Sequence, residues 1–327
     1  MFFGKSGVYM IVTECLKHRE LTSGEGISFS VEKKGLYGIV CKDRAQKEIF
    51  LDLLTGNAQA DDGKVYITEK EKKFAVTEAK SRIGYLPFRF CVYEDMTVLE
   101  ILDFIGEAKG VQPVKRYPQI KEAMKATGLT KYASKQVASL SEAIRRRIGF
   151  AQALIGNPKV IVIDEPFFAM NEAEKRETVD LLETLGKLKP VILGSTDSDI
   201  LSLCSDIWTL FEGKLEHFTG DELAAKIQET KRLLLTLSPE FTPDLERIKA
   251  VDGVKDVYYS EESHQLDMRY ADRDVRAELL SLCSVVSMEQ KTMTPAQYFG
   301  FSEPLTKEAA QTSSSRKGKN KKGEETR

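Results

Sequence analysis

The stretch "LSEAIRRRIGFAQALIGNPKVIVIDEP" occupies residues 140–166 and joins a helix to a strand. Apolar side chains in 144–154 recur at helical spacing, which predicts an amphipathic helix. Residues 160–163 are all Val or Ile, which predicts a short buried strand ending at Asp164 and Glu165. Such a carboxylate pair can take part in metal chemistry or can cap the next turn.

Strands and helices alternate on both sides of this stretch. A strand at 36–40 precedes a helix that begins near Asp43, and a helix at 172–188 precedes a strand at 191–195. This alternation predicts an α/β core with a mostly parallel sheet and helices on both faces. The intervening segment, about 95–150, is polar and has helical periodicity.

The pattern restarts after residue 230. Residues 231–301 have the order βαββαβ, which predicts a small α+β ferredoxin-like domain. Residues 302–327 are rich in Ser, Lys, Gly and Glu without apolar periodicity, so we expect a disordered basic tail. The sequence therefore predicts an α/β domain at 1–230, a second domain at 231–301 and the tail.

Composition excludes several classes of protein. Lys plus Arg total 48 against 50 Asp plus Glu, so the net charge of −2 does not favour nucleic-acid binding. The five cysteines are scattered and form no CxxC pair, which indicates reduced, mostly buried thiols rather than a disulfide or zinc framework. Neither a signal peptide nor an apolar run of about 18 residues occurs, so we expect any membrane role to depend on a partner.

Several motifs together resemble the ATP-binding subunit of ABC transporters over residues 8–230. Residues 140–166 are similar to the family's signature motif and Walker B strand, and "GIVCKDRAQKEIFLDLLTG" at 38–56 is similar to its Walker A segment. "RIGYLPF" at 82–88 resembles the Q-loop region, and "VILGST" at 191–196 the switch-histidine strand. The resemblance implies a P-loop NTPase-like ABC ATPase core with a helical subdomain at about 95–150. The C-terminal unit is similar to an accessory domain found on some of these subunits.

The Walker A segment departs from the family pattern GxxxxGK[ST], whose glycines let backbone N–H groups surround phosphate oxygens. Cys41 and Gln46 occupy the two glycine positions, and Arg44 stands where a third glycine is common. Lys47 is retained, but Glu48 replaces the hydroxyl that would bind Mg²⁺. The resemblance implies that Lys47, Arg44, Gln46 and Glu48 contact the nucleotide, with Glu48 as a weak Mg²⁺ ligand.

An ordinary helix start explains the same residues, and we favour it over a working phosphate loop. In this interpretation Asp43 caps the helix and Gln46, three residues later, completes a variant of the capping box. Lys47 is then a helix residue that faces solvent.

The Walker B carboxylates are intact. The resemblance implies that Asp164 holds Mg²⁺ through water and that Glu165 is the catalytic general base. Ser141 of the signature is retained and is implied to contact the nucleotide of a partner subunit.

Other family positions differ. Phe88 replaces the Q-loop glutamine and is expected to pack against a neighbour. In the signature, Ala143 replaces the glycine and Ile144 replaces the polar residue beside it. Asn171 replaces the aspartate of the loop after Walker B, and Thr196 replaces the switch histidine. His18 is only a rough candidate for stacking on adenine.

By this resemblance we predict an ATP-binding subunit of an ABC transporter complex, with ATP and Mg²⁺ as cofactors and with hydrolysis impaired or absent. Expected partners are a membrane permease, which contacts the helical subdomain, and a head-to-tail partner that is a second copy or another ABC ATPase. The alternative is a non-catalytic pseudo-ATPase that scaffolds or regulates a permease or a competent ATPase. A ribosome-associated ABC protein ranks last, because such proteins carry two ATPase domains. The expected location is the cytoplasmic face of the membrane, through the permease.

Overall fold

The computed structural model describes residues 9–21, 26–41, 43–69, 72–90, 93–211, 213–271, 275–291 and 293–299. The chain divides into two compact units, Met1–Gly220 and Asp221–Arg327. The division falls before the boundary predicted near residue 230. The predicted tail at 302–327, like Cys91, lies outside the described residues.

The strands of the first unit form two sheets. In the described residues they are β1 Tyr9–Lys17, β2 Ser30–Val31, β3 Gly35–Cys41, β4 Asp62–Glu69, β5 Lys72–Ala75, β6 Ile83–Leu86, β7 Val160–Asp164, β8 Pro190–Gly194, β9 Asp206–Phe211 and β10 Lys214–Thr219.

The larger sheet has six strands in the order β10-β9-β3-β8-β7-β6. Its pairs are parallel except for the β9–β10 hairpin. Residues 160–163 are completely buried, as expected for a central strand covered on both faces. The smaller sheet, β2-β1-β4-β5, is antiparallel.

The helices of the first unit follow the predicted alternation. They are α1 Arg44–Thr55, α2 Val98–Ala108, α3 Pro113–Ala126, α4 Glu142–Leu154, α5 Glu172–Gly186 and α6 Ser198–Leu203. Helix α1 packs against β3 and β7, and its Phe50 contacts Phe29 beside the smaller sheet, with ring centroids 5.7 Å apart. Helices α2, α3 and α4 pack on one another in the segment predicted to be a helical subdomain.

Local capping explains where α2 begins. The Thr97 side chain accepts a hydrogen bond from the backbone N–H of Glu100, and the Glu100 carboxylate accepts one from the N–H of Thr97 at 2.8 Å. This reciprocal capping box satisfies two amides that the first turn would otherwise leave unpaired.

The second unit has the predicted ferredoxin-like order. Its described elements are α7 Gly220–Glu229, which straddles the division, β11 Thr230–Leu237, α8 Leu245–Lys249, β12 Val254–Ser260, β13 Gln265–Ala271, α9 Arg276–Leu282, β14 Val285–Lys291 and α10 Pro295–Tyr298. The four antiparallel strands are arranged β12-β13-β11-β14. Leu233, Leu235 and Leu237 alternate along β11 and are buried in the core of this unit. The predicted fold class is confirmed. Among the described residues, no helix combines the length and apolar character that crossing a lipid bilayer requires.

Candidate functional site

The candidate site lies at the carboxyl ends of β3, β8 and β7, which are neighbours in the larger sheet. Ligands of open parallel sheets bind in the crevice outside this edge. Lys47 lies in the helix that follows β3, Asp164 ends β7, and Ser195 follows β8. The topology thus brings Lys47 next to Glu165, although 118 positions separate them in the sequence.

Helix α1 begins almost directly after β3, and residues 42–43 alone separate the two elements. Asp43 is the N-cap: its carboxylate accepts a hydrogen bond from the N–H of Ala45 at 2.8 Å, and its carbonyl accepts one from the N–H of Lys47 at 3.1 Å. These N–H groups are bonded within the helix start, so they do not surround a phosphate-sized space. The predicted start of the helix near Asp43 is confirmed.

Lys47 is buried, with only 3% of its side chain exposed. Its Nζ lies 2.9 Å from Oδ1 of Asp164, which is fully buried, and it also donates to Oε1 of Glu165. Burial lowers the pKa of Lys47, but the two carboxylates raise it by more, so its pKa lies above the ordinary value and the ammonium stays charged. Burial raises the pKa of Asp164, and Lys47 opposes that change.

Two details of the helix-start interpretation are wrong. Lys47 does not face solvent, because the strand-end carboxylates of β7 draw its ammonium into the sheet edge. Gln46 completes no capping box; its Nε2 lies 3.4 Å from the carbonyl oxygen of Glu20 instead.

Glu165 has a second partner and a constrained backbone. Its Oε2 accepts a hydrogen bond from Ser195 Oγ at 3.1 Å, and its N–H donates to the carbonyl of Gly194 at 2.8 Å. Its φ of 47° lies in the left-handed region, which is uncommon for a residue other than glycine. Both carboxylate oxygens of Glu165 are therefore engaged. Asp164 Oδ2, by contrast, is buried and has no hydrogen-bond partner among the described residues.

Arg146, in α4, joins two strand ends through its guanidinium group. Its Nη1 donates to the carbonyls of Pro87 at 2.7 Å and Phe88 at 3.2 Å, just after β6. Its Nη2 donates to the carbonyl of Glu165 at 3.2 Å and to that of Asp164. Burial lowers the pKa of Arg146 to about 10, which still leaves it charged at neutral pH.

A stack of side chains lies beside the Arg146 contacts, since Phe88 belongs to both. The guanidinium carbon of Arg44 lies 3.3 Å from the ring centroid of Phe88, and Phe88 meets Phe168 edge to face with centroids 4.6 Å apart. Arg44 Nε also pairs with Glu48 Oε1 at 3.0 Å. The expectation that Phe88 packs against a neighbour is confirmed. The role of Glu48 toward Mg²⁺ stays a prediction.

Comparison with known proteins assigns a family to one part of the chain. Residues 25–168 match the family model described as ABC transporter. The chain contains an ABC nucleotide-binding domain.

Individual relatives agree with this domain. The chain is 24% identical to an uncharacterised ABC transporter ATP-binding protein of Bacillus subtilis, YxlF, over 85% of this chain and 93% of the relative. It is 23% identical to the linearmycin resistance ATP-binding protein LnrL of the same organism, over 76% and 81%. A dimeric ATP-binding cassette solved in a post-hydrolysis state with ADP and phosphate superposes with a TM-score of 0.55 at 18% identity, covering 64% of this chain and 98% of that one.

The signature segment of this ABC domain forms an ordinary capped helix. Ser141 is the N-cap of α4, and its hydroxyl accepts a hydrogen bond from the N–H of Ile144 at 3.4 Å. Ala143 and Ile144 are buried. Asn171, in the loop position of the family aspartate, caps α5 through its side-chain oxygen. A contact from Ser141 to a partner's nucleotide stays a prediction.

ABC nucleotide-binding domains bind ATP, typically with Mg²⁺, but this site does not fit that pair as it is arranged. The carboxylates of Asp164 and Glu165 are held by the Lys47 ammonium. The described residues contain no group of three or more His, Cys, Asp or Glu placed to hold a metal ion. The Walker A amides of Ala45 and Lys47 are bonded within the start of α1, and Phe88 offers no side-chain donor.

The sequence reasoning did not assign roles to Arg146, Ser195 or Phe168. The available signal for Arg146 was a run of three arginines on a helix with an apolar face, where one guanidinium must turn inward. The resemblance of residues 191–196 to the switch-histidine strand pointed to this segment, but not to Ser195 itself, whose partner Glu165 follows a different strand.

Proposed function

We propose that the chain is the nucleotide-binding-domain subunit of an ABC transporter complex and that its own site does not hydrolyse ATP. The observation that carries the proposal is the start of α1. The helix begins three residues before Lys47, and the turn that would surround the β- and γ-phosphates is absent from the described residues. Phosphoryl transfer depends on groups that position the β- and γ-phosphates and stabilise their charge. Without that turn, we expect no hydrolysis at this site.

A membrane permease is the proposed partner. The relative YxlF is named as an ABC transporter ATP-binding protein, which supports a membrane permease as the partner. We assign its contact to the helical subdomain, where Tyr93 and Phe104 are 60% and 49% exposed and stack with centroids 5.8 Å apart. Exposed aromatic side chains are typical of interface hot spots. The complex would hold the chain at the cytoplasmic face of the membrane.

We also propose that the domain pairs head to tail, either with a second copy or with another ABC ATPase. The dimeric cassette that shares this fold supports the pairing. A partner with intact Walker motifs would supply the ATP turnover that this chain lacks, and this chain would then act as a scaffold or regulator.

Site-specific crosslinking tests the transporter part of the proposal. A photoreactive amino acid at Phe104 should crosslink to an integral membrane protein in cells, while the same probe at the exposed Tyr258 of the second unit serves as the control. Capture of soluble proteins alone by the Phe104 probe would contradict the proposal.

Weak ATP binding without turnover is the second candidate. It is favoured by the retention of Lys47, Asp164 and Glu165 side by side, which is the charge pattern of an ATP site. Equilibrium titration with Mg-ATP separates the candidates: saturation at millimolar nucleotide, lost in K47A, would support binding, and no saturation would support a scaffold only.

A further inference from the structure

Four ionisable side chains form the inner part of the site, and their charges balance. Lys47, Arg146 and Asp164 are at most 3% exposed, and Glu165 is 28% exposed. The set carries two positive and two negative charges. Burying an uncompensated charge is costly, so each carboxylate needs a nearby cation if no external ion is bound.

The position of Lys47 is that of a shared counter-ion. Its ammonium contacts carboxylate oxygens of both Asp164 and Glu165, so one cation compensates both negative charges. Mg²⁺ is bound in proteins by one or two carboxylates with water completing its shell. Lys47 and Arg146 together supply the same charge of +2.

We propose that the Lys47 ammonium takes the place of a divalent cation, and that Asp164 and Glu165 bind a metal ion only when Lys47 is removed. Asp164 Oδ2 is buried and has no hydrogen-bond partner among the described residues. It could therefore serve as a further ligand to a bound metal ion. Arg146 donates hydrogen bonds to the backbone carbonyls of both acidic residues, Asp164 and Glu165, and so fixes their position. The inference goes beyond the proposed function, because it holds whether or not the chain joins a transporter.

Metal rescue of the K47A variant tests the proposal. Removing Lys47 leaves the carboxylates of Asp164 and Glu165 without the ammonium that contacts both, so we expect the unfolding midpoint to fall by about 10 °C. Millimolar Mn²⁺ or Mg²⁺ should restore at least half of that loss, and Mn²⁺ electron paramagnetic resonance should detect a bound ion. The wild type should bind no Mn²⁺ at this site and show no change in midpoint.

The triple variant K47A/D164N/E165Q is the matched control. It keeps the shape of both acidic side chains without their charge, so it should be more stable than K47A and should not respond to metal. Wild-type binding of Mn²⁺ that D164N abolishes would overturn the proposal. So would a K47A variant whose stability is unchanged, or one that metal does not rescue.

If K47A does not fold, a second pair of variants tests whether Lys47 is held in place by charge compensation. D164N/E165Q leaves the Lys47 ammonium buried without a carboxylate, whereas K47M/D164N/E165Q removes that ammonium too. We expect the triple variant to unfold at the higher temperature. The opposite order would show that Lys47 is not held by charge compensation and would overturn the proposal.

Discussion

Replacing Arg146 with methionine should destabilise the first unit more than the same replacement of its neighbour Arg147. The guanidinium is 3% exposed and donates to four backbone carbonyls at two strand ends. Methionine keeps much of the volume and removes every donor. The carbonyls of Pro87, Phe88, Asp164 and Glu165 would then lose a charged partner in a region with little access to water.

The size of the effect follows from these contacts. A hydrogen bond to a charged group contributes roughly 1.5–3 kcal/mol, and the four bonds of Arg146 are not additive because they share one group. Breaking a buried charged network typically costs 3–5 kcal/mol, so we expect a loss of about 4 kcal/mol in the free energy of unfolding. For a unit of this size that corresponds to a fall of about 8–16 °C in midpoint.

Intrinsic fluorescence provides the assay. Trp208 is the only tryptophan in the sequence and is buried in β9, so its emission reports on the first unit. The control is R147M, one residue along, because Arg147 pairs with the exposed Glu177 at 2.7 Å and such pairs contribute little. Equal losses in R146M and R147M would refute the role assigned to Arg146.

Further predictions concern other buried groups. Burial, followed by the nearby Lys159, lowers the pKa of Lys189 to about 8, below its value in the unfolded chain. The unfolded chain then binds more protons between about pH 8 and pH 10, so the wild type should gain stability relative to K189M as the pH rises through that window, measured by thermal unfolding. A Cβ at Gly194 would lie 2.7 Å from Leu51 Cδ1, so G194A should cost about 1–3 kcal/mol in urea unfolding. In the second unit R232M should lower the midpoint by circular dichroism, and R232M/D267L should recover most of the loss, because Arg232 and Asp267 form a buried ion pair.

Much of the fold could be predicted because its signals are local. Asp43 marks a helix start by its own hydrogen bond to a nearby amide, and the βαββαβ order of the second unit follows from short apolar runs. Strand β2 comprises only Ser30–Val31, and an isolated bridge joins Ile27 to Leu16 nearby. Pairing with a partner strand decides such bounds, and the segment's own composition does not reveal it.

The site was predictable only in part, because its geometry depends on strand order. Asp164 and Glu165 follow directly from a strand end, so the sequence indicates them. The burial of Lys47 requires that β3 and β7 flank one strand, β8, and that their ends align. The helix-start interpretation assigned Lys47 to solvent, because capping residues contain no information on carboxylates over 100 residues away.

Release of inorganic phosphate from ATP distinguishes a site without turnover from a working ATPase. The purified chain with Mg²⁺ and ATP should release phosphate no faster than its E165Q variant, because the N–H groups of Ala45 and Lys47 are bonded within the start of α1 and the Lys47 ammonium contacts the carboxylates. Rapid release by the wild type that is lost in both E165Q and K47A would contradict the account.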